Sequence, residues 1–169
     1  MTLRVDDFKA TFRSGFARSN RYRVFFPDDD GTLSVMCDTI QWPGRSILTQ
    51  ERFVDFRANK IPYGFAKEDL SISFILDNDW TPWNYIYEWH ETIVTNIEDI
   101  AGYRVNLKEQ YARSDIRLQH LGVSDEVKKE VVFKNIYPIS LEALDLGNGN
   151  ENEVIRVSAS FTYDNFEIE

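Results

Sequence analysis

Short segments in which apolar and polar residues alternate recur along the chain, and this pattern constrains the fold more than any other feature. The clearest is LSISFIL at 70–76, in which Leu70, Ile72 and Phe74 fall on one side and two serines fall on the other. Successive side chains of a β-strand point to opposite faces, so this period predicts a strand with one buried face. The same pattern predicts further strands at 21–26, 33–42, 46–57, 115–123, 130–141 and 153–166.

Turn and breaker residues indicate how these strands connect. The PDDDG segment at 27–31 predicts a tight turn, which would pair the first two strands as a hairpin. Pro62 interrupts the pattern at 59–69, which predicts a loop or the tip of a long hairpin. Pro138 predicts a bend in the strand that contains it.

One segment has the period of a helix. Across residues 77–100, apolar side chains recur at spacings of three and four and form one stripe. Thr81 is the expected N-cap, Pro82 the first helical residue and Gly102 the stop signal. A shorter helix is predicted over 5–13. The stripe of the long helix consists of Ile86, Trp89, Ile93, Ile97 and Ile100.

Many strands in series with one principal helix are typical of a mainly β, α+β chain. The predicted architecture is an antiparallel β-sandwich or barrel with a flanking helix. The 169 residues, 14% of them aromatic, are enough for one core, so we expect a single domain over 1–169. The sequence contains no signal peptide and no run of about 20 apolar residues that could span a membrane. These features predict a soluble protein made in a reducing cytoplasm.

Residue types that carry catalysis or bind metals are sparse. His90 and His120 lie on different predicted elements, and the lone Cys37 excludes both an internal disulfide framework and a four-thiolate zinc site. The LGNGNEN segment at 146–152 lacks the third glycine and the following helix of a phosphate-binding fingerprint. The carboxylates at 28–30 lack the later Glu of a calcium-binding loop. We therefore expect no enzymatic activity, no cofactor and no metal.

Aromatic residues on the predicted helix leave two interpretations open. They could form a stacking platform for a sugar or a base. Because they fall on several faces of the helix, the pattern favours packing of Trp83 and Trp89 against the sheet and a subunit contact through the tyrosines. The group consists of Trp80, Trp83, Tyr85, Tyr87 and Trp89.

Charge and apolar loops together point to self-association. The net charge of −9 argues against tight nucleic-acid binding. Residues 1–25 carry six basic and two acidic side chains, whereas residues 142–169 carry seven acidic and one basic. This asymmetry is compatible with ordinary solvated surfaces, but it also suits head-to-tail association into rings or filaments. The connections 43–68 and 102–114 carry apolar side chains that a neighbouring subunit could bury.

Several segments in order resemble one known family. They are FARSNRYRVFF at 16–26, CDTIQWPG at 37–44, NKIPYGFAKEDLSISFILDND at 59–79 and YPISLEALDLGNGNENEVIRVSASFTYDNFE at 137–167. Over essentially the whole chain they resemble the tail tube proteins of contractile-tailed bacteriophages. The resemblance includes a final strand that closes on Tyr-x-x-aromatic-Glu, although Phe166 stands where the family often has Trp.

The resemblance implies a structural virion protein rather than an enzyme. Hexameric rings, joined edge to edge into one continuous barrel, would stack into a hollow tube inside a contractile sheath. Genomic DNA would pass transiently through the lumen at ejection. Partners would be further copies of the chain, the sheath protein, the baseplate and the tube terminator. The protein would be located in the virion tail after assembly in the host cytoplasm.

Three sets of residues are candidates for these roles. The basic N-terminal residues suit contact between rings, and the 43–68 excursion would reach the next subunit. The predicted inter-subunit contacts are Arg18, Arg21, Arg23, Ile61, Tyr63, Phe65 and Tyr103. The predicted lumen-facing carboxylates are Glu51, Asp55 and Glu142.

Other interpretations remain open at the level of sequence. The chain could be a tube subunit of a baseplate, a secretion system or an extracellular contractile injection particle. It could also be a monomeric β-sandwich that binds a ligand such as a carbohydrate. A hydrolase is the weakest alternative, because the sequence has too few His and Cys residues for a catalytic dyad.

Overall fold

The computed structural model describes residues 17–27, 29–54, 57–97, 102–113, 116–144, 146–147 and 154–169. The helix predicted at 5–13 lies outside these residues. The strands are β1 Tyr22–Phe25, β2 Cys37–Ile40, β3 Arg45–Val54, β4 Arg57–Lys67, β5 Leu70–Ile75, β6 Val94–Ile97, β7 Gly102–Val105, β8 Ile116–Leu121, β9 Val127–Lys134, β10 Tyr137–Leu141, β11 Arg156–Thr162 and β12 Asn165–Ile168. The helices are α1 Thr32–Met36, α2 Thr81–Ile93 and α3 Lys108–Tyr111.

Two four-stranded antiparallel sheets form the body of the fold. The first has the order β1-β8-β9-β12 and the second the order β10-β11-β5-β2. Two further pairs, β3-β4 and β6-β7, stand apart from these sheets. The mainly β prediction with one principal helix is confirmed. Among the strands that the structure describes, neither four-stranded sheet closes on itself, so each has two edge strands.

The core lies between the two sheets and is closed at one side by α2. β5 and β11 bury alternate residues, as the sequence predicts, with Phe74 opposite Val157 and Ile72 opposite Ala159. Trp89 of α2 reaches the same core, with its ring centroid 5.9 Å from that of Phe161. The fully buried large side chains are Trp89, Phe74, Phe133, Phe161, Leu33, Ile72, Ile86, Ile116, Leu118, Ile136, Val24 and Val131.

The start of α2 is fixed by Asp77. Its carboxylate accepts hydrogen bonds from the Thr81 backbone N–H at 2.7 Å and from the Thr81 hydroxyl at 2.6 Å. These bonds lower the pKa of Asp77. Thr81 is therefore the first helical residue rather than the predicted N-cap, a position that Trp80 occupies in a left-handed conformation with φ of 56°.

The end of α2 differs from the prediction. The helix stops at Ile93, and Val94–Ile97 forms a strand that pairs with Gly102–Val105, so Gly102 begins a strand instead of ending a helix. The run of β-branched residues from Ile93 explains the change, because such side chains lose rotamer freedom in a helix and fit a strand well. The predicted helix residue Ile100 lies outside the described residues.

The predicted first hairpin is wrong. Residues 32–36 form α1 rather than strand, with Leu33 buried beneath it. The Asp29 carboxylate accepts the backbone N–H groups of Gly31 and Leu33 at 3.1 Å each, which favours a helical turn at this point. β2 then pairs with β5, while β1 pairs with β8.

Two later strands are interrupted differently from the prediction. The strand expected at 130–141 breaks at Asn135, whose φ is 52°, and becomes β9 and β10. Pro138 marks only a register irregularity between β10 and β11. The final predicted strand also divides, into β11 and β12, around Tyr163 and Asp164.

Candidate functional site

The longest strands of the chain form a two-stranded hairpin that belongs to neither main sheet. β3 and β4 pair from Arg45↔Lys67 to Val54↔Arg57, and we call residues 45–67 the long hairpin. The prediction that 59–69 is a loop or the tip of a hairpin is therefore wrong, since most of it is strand β4 and the pairing continues to Val54↔Arg57. Every side chain described from 45 to 65 in this hairpin is exposed. Such a surface lacks the burial that normally stabilises a strand pair.

Both faces of the long hairpin carry exposed apolar side chains. Ile47 is opposite Phe65 on one face, whereas a register shift after Leu48 leaves Tyr63 without a paired residue and puts Ile61 opposite Gln50 on the other face. Tyr63 is 68% exposed, and the guanidinium of Arg45 lies 4.0 Å from the centre of the Phe65 ring. The structure thus places the predicted contact residues Ile61, Tyr63 and Phe65 on one strand but not on one face.

The predicted lumen residue Glu51 lies four residues after Ile47 on β3 and therefore on the same face as Ile47. It is directly opposite Lys60, so a carboxylate and an ammonium share the face of Ile47 and Phe65. Asp55, the second lumen candidate, lies outside the described residues. The third candidate, Glu142, is far along the chain, where it follows β10 and its backbone N–H donates to the Ser158 carbonyl at 2.9 Å.

The predicted N-terminal arginines have different surroundings. Arg18 and Arg23 are exposed, and only the backbone carbonyl of Arg18 contacts His120, at 3.2 Å. Arg21 instead donates from its guanidinium to the carbonyl oxygens of Gly122 and Val123, both at 2.8 Å. Arg21 therefore ties the start of β1 to the loop after β8 within the subunit.

Tyr103, the remaining predicted contact residue, lies on β7. Its backbone is opposite Asn96 of β6. The β6-β7 pair is separate from the long hairpin in the sheet topology.

A groove runs along one side of α2, between this helix and the edge strand β10. Its floor and walls include Trp83, Tyr87, His90 and Ile139. The rings of Trp83 and Tyr87 are stacked, with centroids 4.8 Å apart and an interplanar angle of 9°. The groove has a volume of about 610 Å³ towards Trp80 and about 570 Å³ in the overlapping part towards Val94. We call it the α2 groove.

Sequence reasoning did not find the α2 groove as a site. Trp83 is partly buried and packs against the core, as expected, and its ring also stacks on Tyr87 in the groove. The expectation for Trp89 is confirmed. The spacing of Trp83 and Tyr87, one helical turn apart, is the signal that could have indicated an aromatic face.

The outward face of the second sheet is lined by small hydroxyl side chains. Ser71 lies opposite Ser160 and Ser73 lies opposite Ser158. These four side chains are partly accessible. The same face of β11 carries Arg156, whose guanidinium Nε donates to the Asp38 carboxylate at 2.9 Å, so its positive charge is paired.

Within the described part of the chain, no three His, Cys, Asp or Glu side chains are grouped closely enough to bind a metal ion. His90 is packed beside β10, and burial is the largest cause of its lowered pKa. No helix in the described ranges is long and apolar enough to cross a membrane.

Comparison with known proteins gives the identity of the fold. The profile of the family described as phage tail tube protein matches residues 7–169. The chain belongs to the phage tail tube protein family. This family is structural, and the surfaces described above are those of a tail tube protein. No curated protein matches the sequence.

Solved structures with the same fold come from contractile injection machines. A chain from the extended sheath–tube complex of an extracellular contractile injection system has a TM-score of 0.63 at 14% identity, with 99% of each chain covered. A chain from the sheath/tube terminator of that kind of system has a TM-score of 0.67 at 14% identity, covering 90% of this tail tube protein and 95% of its own length. A chain from the tube-terminating cap of the anti-feeding prophage has a TM-score of 0.67 at 19% identity, with 90% of each chain covered.

Proposed function

We propose that this tail tube protein forms hexameric rings that stack into the inner tube of a contractile phage tail, through which the genome passes at ejection. The observation that carries the proposal is the set of exposed apolar side chains on the long hairpin. Burial of apolar surface contributes about 25 cal/mol per Å², so six large exposed side chains on one strand pair favour association. Contact with a neighbouring copy would bury them.

The edge strands of the two main sheets, as far as the structure describes their pairing, give a second line of support. An edge strand presents unpaired backbone groups, which proteins protect or pair. Ring closure would pair some of these edges between copies and produce a continuous barrel. In such a ring each copy makes the same heterologous contact with the next, and rotation closes the assembly.

The side chains proposed to line the bore should bind DNA only weakly. The serine-lined face of the second sheet offers few positive charges to phosphates, and the net charge of −9 disfavours retention of a polyanion. Glu51 is our first candidate for a bore-facing carboxylate, although its pairing with Lys60 would reduce the local negative charge. Asp55 and Glu142 stay predictions for the same role.

The proposed partners follow from the position of a tube in a contractile machine. Stacked rings would contact the sheath along the outer wall, the baseplate at one end and the terminator at the other. The same architecture also suits an extracellular injection particle, which has fold relatives in its sheath–tube complex and its terminator. In that alternative the bore would carry a different cargo.

Electron microscopy of the purified full chain tests the proposal. We expect rings or tubes in negative stain and a large species in size-exclusion chromatography with light scattering. A monomer that persists up to the highest soluble concentration would overturn the proposal and favour a monomeric binding module. Mass spectrometry of purified particles that carry a DNA-filled capsid distinguishes a phage tail from an extracellular injection particle. We expect this chain among their proteins only if it belongs to a phage tail.

A further inference from the structure

We propose that the α2 groove receives the long hairpin of a second copy of this chain. This inference rests on the proposed function, because it names which surfaces meet when copies assemble. The groove is an apolar depression, and the long hairpin carries apolar side chains that are exposed in its own subunit. The groove of one copy could therefore bury the apolar side chains that the long hairpin of another copy exposes.

The shape of the groove suits aromatic and branched side chains. The stacked Trp83 and Tyr87 rings form a flat wall on α2, and Ile139 of β10 faces them from the other side. Tyr87 and Ile139 are 44% and 48% exposed, so both have apolar surface left to bury. Aromatic anchors in such pockets supply most of the binding energy of many interfaces.

The long hairpin offers exposed apolar groups within a short length of β4. Phe65 lies opposite Ile47 on one face, Ile61 lies opposite Gln50 on the other, and the bulged residue Tyr63 lies between them in sequence. A strand pair of this kind could lie along the groove with its apolar side chains directed into it. Its own subunit buries none of the three, since all are exposed.

Charge complementarity favours this occupant over a generic apolar segment. The long hairpin carries five basic residues and two acidic ones. The charged residues that line the α2 groove are Glu91 and Glu142, and His90 also lines it. A basic strand is attracted to an acidic rim, and the same rim disfavours an acidic partner. The five basic residues are Arg45, Arg52, Arg57, Lys60 and Lys67.

A matched pair of substitutions tests the groove. Ile139→Lys puts a charge into the groove, while Val127→Lys puts the same charge on β9, at a residue outside the groove with nearly the same exposure, 48% against 49%. We expect Ile139→Lys to raise the concentration needed for ring or tube formation by about tenfold or more, with the circular dichroism spectrum and the unfolding midpoint retained. Normal assembly of Ile139→Lys, or an equal loss in both variants, overturns the inference.

Cross-linking tests the pairing of the two surfaces directly. In a Cys37→Ser background, which removes the chain's only cysteine, Tyr63→Cys and Ile139→Cys are made as separate proteins. Each is checked for rings or tubes, then mixed and treated with a short bismaleimide. We expect a covalent dimer only in the mixture, and a ladder of higher species when one chain carries both cysteines. A Tyr63→Cys protein mixed with Val35→Cys is the control for random collision, since Val35 is exposed outside the groove.

The outcomes separate this inference from the proposed function. Rings or tubes that form without a cross-link between positions 63 and 139 would overturn the groove assignment and leave the tube function standing. Wild-type protein that never assembles would overturn both. If Ile139→Lys forms normal tubes but these no longer bind the sheath protein, the groove belongs to the outer wall and the inference is wrong.

Discussion

Trp89 donates its indole N–H to the carbonyl oxygen of Tyr111 at 2.7 Å, and so connects the middle of α2 to α3. The indole is 1% exposed, and the Arg113 guanidinium lies 4.4 Å from its ring centre. The bond satisfies the one polar atom of the largest side chain in the core. It also fixes the rotation of α2, and hence the direction in which Tyr87 and His90 face the groove.

Replacing Trp89 by Phe should destabilise the subunit. The substitution keeps an aromatic ring but leaves the Tyr111 carbonyl without its donor, for a cost of about 1–3 kcal/mol. Urea unfolding followed by circular dichroism measures this change in the free energy of unfolding. Trp42→Phe, at a residue that is 41% exposed, is the control and should shift stability by less than about 0.5 kcal/mol. Equal midpoints for both variants would contradict the structural role of Trp89.

The exposed apolar side chains of the long hairpin should matter for assembly and not for folding. Phe65→Ser removes a large side chain that is 49% exposed, so the unfolding midpoint of the isolated subunit should barely change. Association should weaken by about tenfold or more, because in the proposed assembly these side chains are buried only between copies. Sedimentation velocity over a concentration series measures the effect. Wild-type assembly of this variant would remove the main support for the tube proposal.

Charge reversal separates the three N-terminal arginines. Arg21→Glu loses two hydrogen bonds to backbone carbonyls, so we expect a loss of about 1.5–3 kcal/mol in the free energy of unfolding. Arg18→Glu and Arg23→Glu alter exposed side chains and should leave the melting temperature almost unchanged. If these two residues contact the next ring, both variants should shorten or abolish tubes in micrographs. Unchanged tube length with both variants would count against that role.

Glu126 should titrate in an unusually acidic range. Its hydrogen bond with the Lys128 ammonium at 2.9 Å is the largest cause, and the Ser124 N–H adds a bond at 2.8 Å, which together lower the pKa of Glu126 to about 2. Because the folded pKa lies below the unfolded value of 4.5, the stabilisation is complete above that value and is lost as the pH falls towards 2. NMR titration of the side-chain carboxyl carbon measures the shift. Lys128→Ala should move the pKa upward, and an unchanged pKa would rule out Lys128 as its cause.

The Cys37 thiol should react slowly in the folded protein. Burial is the largest cause that raises its pKa to about 11, so little thiolate forms near neutral pH. At pH 8 we expect alkylation by iodoacetamide to be roughly a hundredfold slower than for the same protein in urea. Mass spectrometry of timed samples gives both rates. Equal rates would show that the thiol is accessible and normally acidic in the folded state.

The strands with a strict period of two were the most predictable part of the fold. β5 and β11 each bury alternate residues and lie side by side, so local pattern and tertiary contact agree there. Partner choice was not predictable, because it is decided by contacts far along the sequence. β2 lies against β5 instead of β1 for this reason, and Asp29 turns the intervening residues into α1. The predicted helix was too long, because apolar spacings of three and four continue into the residues that form β6.

The candidate surfaces were also predictable only in part. Ile61, Tyr63 and Phe65 lie within one segment, so the sequence alone indicated apolar side chains that a neighbouring subunit could bury. Their distribution over the two faces depends on the bulge at Tyr63, which the alternation does not predict. The α2 groove requires Tyr87 and Ile139 to meet from elements that are distant along the chain. No local pattern contains that information.

The long hairpin is continuous with the core sheet. β3 follows β2 after four residues and β4 leads into β5 after two, and β2 and β5 are themselves paired. Tension on the tip of the long hairpin would therefore run lengthwise through a ladder of backbone hydrogen bonds into the centre of the subunit. Hydrogen bonds between strands that are pulled along the strand axis share the force and break together rather than one by one. The long hairpin would thus act as a stiff element that transmits mechanical load from one copy to another.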